Sequence, residues 1–445
     1  MITLNSQQQE AISRLMDFIK SDDDYFTLIG AAGTGKTTTI QHFIKQFTDR
    51  TRICMTAPSN KAVRVLKKMS EAAGLNRPCL TIHSLLGLKV TEQNGRTQIK
   101  AGGKNQLADY DIIIIDECSM LGIEIMQHIV RAMDDNKKVI YMGDQCQLPP
   151  VGEKESPSFA IKNHYRLTQV MRQRDENPIL GLCTDLRHAI EEGAITAPTI
   201  LPLLNATGTI GISVMRGDSF KQFMPHAFSN QQFDKNYDRF RIIAWRNQTV
   251  DYYNDHIQKL RYPNLKDAFA IGEPIVFSSP LHAISTRTDN EVSAGWDEIV
   301  CSTESEGLVE DIQNGENIAI HINGKDLYTA SYRLTCRLFT SDNDQVITCT
   351  IPANKAEYKA LTKAQAESAR NPDHPTTWFD YYKITKLFAD VRPAYAMTAH
   401  KSQGSTYENV FIDGQDILIN PDKPEALRCL YVAVSRASNN VVINL

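Results

Sequence analysis

The run Gly30-Ala31-Ala32-Gly33-Thr34-Gly35-Lys36-Thr37 fits the pattern G-x-x-x-x-G-K-[ST] in full. Glycines at this spacing let backbone N–H groups curl around phosphate oxygens, and the start of a following helix adds favourable partial charge. Lys36 is then placed to reach the β- and γ-phosphates of a nucleoside triphosphate such as ATP, and the Thr37 hydroxyl to ligate Mg²⁺. Ala32, Gly33, Thr34, Gly35 and Thr38 complete the expected phosphate-contacting set. A second run, Ile112-Ile-Ile-Ile-Asp116-Glu117, has the signature of a buried strand ending in two carboxylates. Asp116 suits a Mg²⁺ coordination shell, and Glu117 suits positioning or deprotonating an attacking water. An acidic pair at a solvated turn would look the same; the complete phosphate loop upstream favours the catalytic reading. A third run, Gly143-Asp144-Gln145-Cys146-Gln147-Leu148-Pro149-Pro150, offers an amide that can bond a γ-phosphate and release it after hydrolysis. By itself it reads equally as a polar loop closed by prolines.

Such residues need a strand before the phosphate loop and a helix after it. Tyr25–Gly30 supplies the strand and Thr37–Phe47 the helix. Arg52–Ala57, Ile112–Asp116 and Val139–Gly143 read as further buried strands, with the amphipathic run Lys61–Ala73 between them. This alternation predicts a parallel sheet with helices on both faces. Leu88–Gln106 interrupts it: Asn94–Gly95 between extended segments is a two-residue hairpin signal. A second α/β region begins near Tyr165, includes the strand Phe240–Trp245, resumes near Arg392 and closes with the strand Asn440–Asn444. Between its halves, Ile275 to Thr350 is rich in β-runs split by turn signals, including hairpins around Asn323–Gly324 and Asp342–Asp344, and Ala356–Arg370 reads as a helix. The expected organisation is α/β: residues 1–160 as a first domain with a hairpin at 86–108, residues 161–274 with 392–445 as a second, and residues 275–391 as an inserted small β-barrel with a helical stalk.

The chain has 445 residues, enough for two to four domains with their own cores and no need of staples. Its net charge of −4 excludes a general polyanion binder, so any nucleic-acid contact must follow a local basic path. Nine scattered cysteines with no C-x-x-C pair argue against a disulfide framework or a zinc site and fit a reducing compartment. The polar start, Met1 to Gln9, lacks a signal core, and the longest apolar runs are far too short to span a bilayer, so a cytoplasmic protein without membrane contact is expected.

Taken in order, these motifs resemble those of superfamily 1 DNA helicases, and most closely the RecD-like 5′-to-3′ branch with its small phage-type Dda helicases. Leu4-Asn-Ser-Gln-Gln8 is similar to the adenine-reading glutamine motif, and Leu167-Thr-Gln-Val-Met-Arg172-Gln173 to an arginine-bearing motif. Ala396-Met-Thr398-Ala-His400-Lys401-Ser402-Gln403-Gly404-Ser405-Thr406 and Leu430-Tyr431-Val432-Ala433-Val434-Ser435-Arg436-Ala437 raise the specificity most, because few phosphate-loop ATPases carry both. The resemblance implies two RecA-like motor domains with ATP and Mg²⁺ between them, a β-hairpin insertion in the first and an SH3-like β-barrel insertion in the second. It implies that Gln8 reads the base, Gln147 senses the γ-phosphate, Gly404 borders the nucleotide, and Arg172 and Arg436 act as arginine fingers. It also implies a strand path through Pro58, Ser59, Asn60, Lys61, Thr81, His83, Thr398, His400, Lys401 and Ser402. The implied activity is ATP-driven translocation on single-stranded DNA and unwinding of forked duplex by a monomer, in replication or repair and alongside proteins of those processes. An ATP-gated remodelling protein and a motor subunit of a nuclease complex are the alternatives.

Several residues keep two readings. Lys61, Arg64, Lys67 and Lys68 have helical spacing, which suits a solvated face as well as a phosphate track. His83 and His400 have no second ligand at metal-binding spacing, leaving a strand contact or a core histidine. Arg172 and Arg436 could equally form ordinary ion pairs. The stretch Lys89–Gln106 contains no aromatic residue, so its hairpin either splits the duplex or flanks the strand. Trp378, Phe379, Tyr381 and Tyr382 either grip DNA or pack the stalk.

Overall fold

The computed structural model describes residues 4–93, 96–134, 136–169, 177–283, 299–322, 325–339, 345–371 and 377–445. Its first sheet grows from short apolar, β-branched runs. Ile112–Ile115 is buried at every position, and Tyr25–Gly30 and Lys138–Gly143 are buried after their first residue. Strands buried on both faces belong to parallel sheets covered by helices. The order across this sheet is Cys79–Thr81, Ile53–Ala57, Ile112–Ile115, Lys138–Gly143, Tyr25–Gly30, His164–Leu167, and every pair is parallel. The phosphate loop, Asp116–Glu117 and the Gly143 turn therefore leave the carboxyl ends of three adjacent central strands, where open α/β sheets bind ligands.

The boundary after the first sheet differs from the sequence expectation. His164–Leu167 pairs in parallel with Thr27–Gly30, so the first sheet extends past residue 160 and Tyr165 lies within it. This edge strand is mostly unburied and has no apolar run to announce it.

The second sheet runs Ala396–Thr398, Phe240–Ala244, Tyr407–Asp413, Ala437–Asn444, Gly211–Met215, Leu203–Leu204. All its pairs are parallel except the last. Helices Pro178–Glu191 and Lys423–Ser435 bury apolar faces on it. Cys146 and Leu148, from the Gly143 turn of the first sheet, lie in the same buried cluster as Leu182, Leu186, Leu430 and Val434. Both sheets form one compact unit of residues 1–88, 102–253 and 396–445.

The other unit comprises residues 89–101 and 254–395. Its centre is a five-stranded antiparallel sheet in the order Gln345–Pro352, Ser331–Leu338, Glu306–Asn314, Pro274–Phe277, Val391–Pro393. Phe277, Leu334, Cys336 and Cys349 lie in its core. Because Pro274–Phe277 pairs with Val391–Pro393, this unit opens before residue 275 and closes after residue 391. Ile318–Ile322 pairs with Lys325–Thr329, and helix Lys355–Arg370 packs on Trp378–Leu387 through Tyr358, whose hydroxyl donates to Ile384 O at 2.9 Å. Leu88–Gln93 and Arg96–Ala101 form a two-stranded sheet; the Asn94–Gly95 turn lies outside the described residues. Among the described residues no helix is long and apolar enough to cross a membrane.

Candidate functional site

The phosphate loop joins strand Tyr25–Gly30 to helix Lys36–Ile44. Gly33 and Gly35 have φ of 81° and 80°, a region that costs a side chain, so glycine is required at both turns. At Gly30 a Cβ would stand 2.6 Å from Thr34 Oγ1, which itself donates to Ala31 O at 2.9 Å and tightens the loop. Lys36 Nζ donates to Gly30 O and Ala31 O, so its charge lies over the loop instead of in solvent. Gln8 is fully enclosed: its Oε1 accepts from Asn5 N at 3.0 Å to cap helix Ser6–Lys20, and its Nε2 donates to Thr34 O at 3.3 Å. Each end of the amide thereby uses one of its two hydrogen-bonding positions.

Asp116 follows the four-isoleucine strand, and its Oδ1 accepts from Glu117 N at 2.8 Å. Burial first, and the Glu117 carboxylate second, push the Asp116 carboxyl up to about 7, while Lys36 and Arg436 pull it back. Glu117 itself sits at φ 52°, ψ 41°. Left-handed backbone at a non-glycine residue stores of order 1–3 kcal/mol and recurs at active sites. Asp116 and Glu117 are adjacent carboxylates, Asp116 buried between Glu117 and Lys36, and a divalent cation held on these hard oxygens would relieve their mutual repulsion.

The opposite wall comes from helix Lys423–Ser435 and the loop after strand Ala396–Thr398. Arg436 is buried, its guanidinium donating to Val432 O, Ser405 O and Ser435 Oγ, with Nη1 3.9 Å from Glu117 Oε1. Gly404, at φ 71°, passes so close that a Cβ would meet Ala62 Cβ at 2.8 Å and Glu117 Cγ at 3.7 Å. Three further side chains hold the Gly143 turn. Arg428 Nη1 donates to Gln145 O at 2.6 Å and Gln147 O at 2.9 Å. Gln403 Nε2 donates to Leu148 O at 3.0 Å, and the Tyr431 hydroxyl donates to Asp144 Oδ2. Gln147 Oε1 is buried with no partner among the described protein groups, as a phosphate-sensing amide would be. Arg172 lies outside the described residues.

The expected strand contacts divide. Pro58, Ser59 and Asn60 leave the carboxyl end of strand Ile53–Ala57, and Ser59 Oγ caps the next helix by accepting from Ala62 N at 3.2 Å. Thr81 likewise caps helix Ile82–Leu85 at the end of the neighbouring strand. Burial pushes the half-buried His83 below the usual histidine range, with Glu124 acting the other way. Lys61 is turned inward: its Nζ donates to Tyr407 Oη at 2.7 Å, lies 4.4 Å from the ring centroid, and is 3.7 Å from Asp238. A solvated helix face therefore does not describe Lys61. Thr398 is buried and its Oγ1 accepts from Lys401 N at 3.3 Å. Ser402 is fully buried with Oγ donating to Ala399 O at 2.7 Å, so its side chain is shaped to hold the turn rather than to meet a strand. His400 does have ligand-bearing neighbours, contrary to the spacing argument: Glu425 and Cys429, one helical turn apart, bring their atoms within 4.8 Å of its ring. Tyr431, Asp144, Arg428 and Tyr407 are the residues that sequence reasoning left without a role. Their partners across the site lie hundreds of positions away, and only Tyr431 and Asp144 fall inside a motif.

A family model described as AAA domain matches residues 3–210, and one described as UvrD-like helicase C-terminal domain matches residues 393–443. An uncharacterized protein of Acanthamoeba polyphaga mimivirus is 28% identical over 98% of this chain and 99% of its own length. The ATP-dependent DNA helicase Dda of Enterobacteria phage T4 is 27% identical over 98% of each chain. The ATP-dependent RecD2 DNA helicase of Deinococcus radiodurans is 34% identical over 36% of this chain and 21% of its own length. With its two parallel sheets, the phosphate loop on one and the buried arginine of the other facing the same carboxylates, the chain belongs to the superfamily 1 helicases related to Dda and RecD.

Proposed function

We propose that this chain is an ATP-dependent DNA helicase that moves 5′ to 3′ on single-stranded DNA and separates forked duplex. The observation that carries the reading is the placing of Arg436 3.9 Å from Glu117, because it joins the two sheets at the hydrolytic carboxylates. Thr37 and Asp116 would hold Mg²⁺, which would supply positive charge against the charge that develops on the transferred phosphate. Lys36 and the loop N–H groups orient the phosphates, Glu117 aligns and deprotonates water, and Gln147 reports whether the terminal phosphate is attached. Arg436 contributes fully only when the two sheets close, which ties hydrolysis to their relative motion.

Pro58, Ser59, Asn60 and Thr81 offer hydroxyl and backbone groups at the carboxyl ends of adjacent strands, which suits sequence-independent phosphate contact. Thr398, His400 and Lys401 do the same on the second sheet. We read the five-stranded antiparallel sheet as the SH3-like insertion, and the pair Leu88–Gln93 and Arg96–Ala101 as the element flanking the point of strand separation. Duplexes carrying either a 5′ or a 3′ single-stranded tail test the reading. Strand separation from the 5′ tail alone is expected. Hydrolysis stimulated by DNA without separation from either tail would favour an ATP-gated remodelling protein, and hydrolysis indifferent to DNA would overturn both.

A further inference from the structure

The phenol of Tyr431 is fully buried and uses both of its hydrogen-bonding functions across the nucleotide site. Its O–H donates to Asp144 Oδ2, and its oxygen accepts from Ala32 N, within the phosphate loop, at 3.4 Å. Asp144 in turn shapes the sensor turn: its Oδ1 accepts from Cys146 N at 3.0 Å and its carbonyl from Gln147 N at 3.1 Å. Arg428, three residues before Tyr431 and on the same helix face, fixes Gln145 O and Gln147 O. One helix of the second sheet thus touches the phosphate loop and the sensor turn together, and a single oxygen atom is common to both.

We propose that Tyr431 is a positioning residue that sets the Gln147 turn against the phosphate loop. It acts through Asp144 and Ala32, without touching substrate. This rests on the ATP-hydrolysing part of the proposed function. A phenylalanine keeps the ring and its packing but loses the donor and the acceptor, leaving a buried carboxylate and a partly buried N–H without that partner. The sensor amide is then held less closely, and a misplacement of about 1 Å costs on the order of 10²-fold in turnover.

The test uses the full chain with Tyr431→Phe, Asp144→Asn and the double variant. It measures kcat and KM for ATP, with and without single-stranded DNA, and the Kd of a non-hydrolysable ATP analogue. For Y431F, kcat is expected to fall about 10- to 100-fold with analogue Kd within about twofold of wild type. D144N should fall by a similar factor, and the double variant no further than the worse single one, because both break one link. Wild-type kcat in Y431F, a loss of analogue binding equal to the loss of kcat, or losses that multiply in the double variant would overturn the proposal. Should Y431F fail to fold, the same split between kcat and Kd in D144N decides the matter. The DNA-free rates keep the two readings apart: a wild-type chain that hydrolyses ATP but separates no strands overturns the helicase reading alone.

Discussion

Gly404→Ala is predicted to act on closure of the two sheets. At φ 71° an alanine enters left-handed backbone, and its Cβ would stand 2.8 Å from Ala62 Cβ. The backbone part costs roughly 1–2 kcal/mol for an L-residue. Carbon atoms are comfortable at about 3.5–4.0 Å, so Ala62 or the loop must yield by most of an ångström. Overpacking of this kind costs about 1–3 kcal/mol, and the two parts together give about 2–5 kcal/mol. The chain can relieve the contact by parting Gly404 from Ala62, which withdraws Arg436 from Glu117. Opening relieves only the steric part, so closed states become rarer by roughly 5-fold to 150-fold. Turnover with saturating DNA is measured beside denaturant unfolding. The expected result is a large loss of kcat with a smaller loss of unfolding free energy. Adding Ala62→Gly should restore part of the loss, a coupling of at least about 1 kcal/mol in a double-mutant cycle. Normal turnover in G404A, or a cycle with no coupling, would refute the steric account.

Three further outcomes are expected. Glu117→Gln should bind ATP as the wild type does but hydrolyse it about 10²–10⁴-fold more slowly in a steady-state phosphate-release assay; near-normal release would remove Glu117 from water activation. Arg436→Ala should retain nucleotide binding and lose about 10³–10⁵ in DNA-stimulated turnover, measured in the same way. Asp416 is buried and accepts from Trp245 N, Arg246 N, Arg246 Nε and Thr249 Oγ1 at 2.6–2.9 Å. Burial alone would raise its carboxyl, but these donors, led by Thr249, hold it below the usual aspartate range. A depressed value gives stability that is full above the unfolded pKa of about 3.9 and lost as pH falls through the lower folded one. Asp416→Asn should therefore cost ~1–3 kcal/mol near neutrality in chemical denaturation, and the gap to wild type should narrow below about pH 4.

What the sequence disclosed depended on how local the signal is. The phosphate loop was legible because its glycines, its strand and its helix are contiguous, and the four isoleucines before Asp116 announce a buried strand by themselves. Hairpin turns placed Ser331–Leu338 against Gln345–Pro352 for the same reason. His164–Leu167 was lost to the wrong domain because an edge strand needs little apolar content and joins the sheet through residues far upstream. Lys61 kept two readings, a solvated face or a phosphate track, because helical spacing fixes a face but not what that face meets, here Tyr407. Tyr431 and Asp144 each sat in a recognised motif, yet nothing local could say that they bond to each other.

The order in which the second sheet is completed bears on how the protein is made. Strand Phe240–Ala244 is flanked by Ala396–Thr398 and Tyr407–Asp413, and Gly211–Met215 pairs with Ala437–Asn444. The first sheet, by contrast, has all its strands once His164–Leu167 is synthesised. At ~5–20 residues per second, the early strands of the second sheet wait on the order of ten seconds or more for their neighbours. During that interval the buried residues Ile242 and Ile243, and the edge of Gly211–Met215 that later meets Ala437–Asn444, are left without their strand neighbours. Newly made chains should therefore depend on chaperone binding in the stretch between residues 211 and 396, and truncation after the insertion should yield a folded first sheet attached to an aggregating remainder.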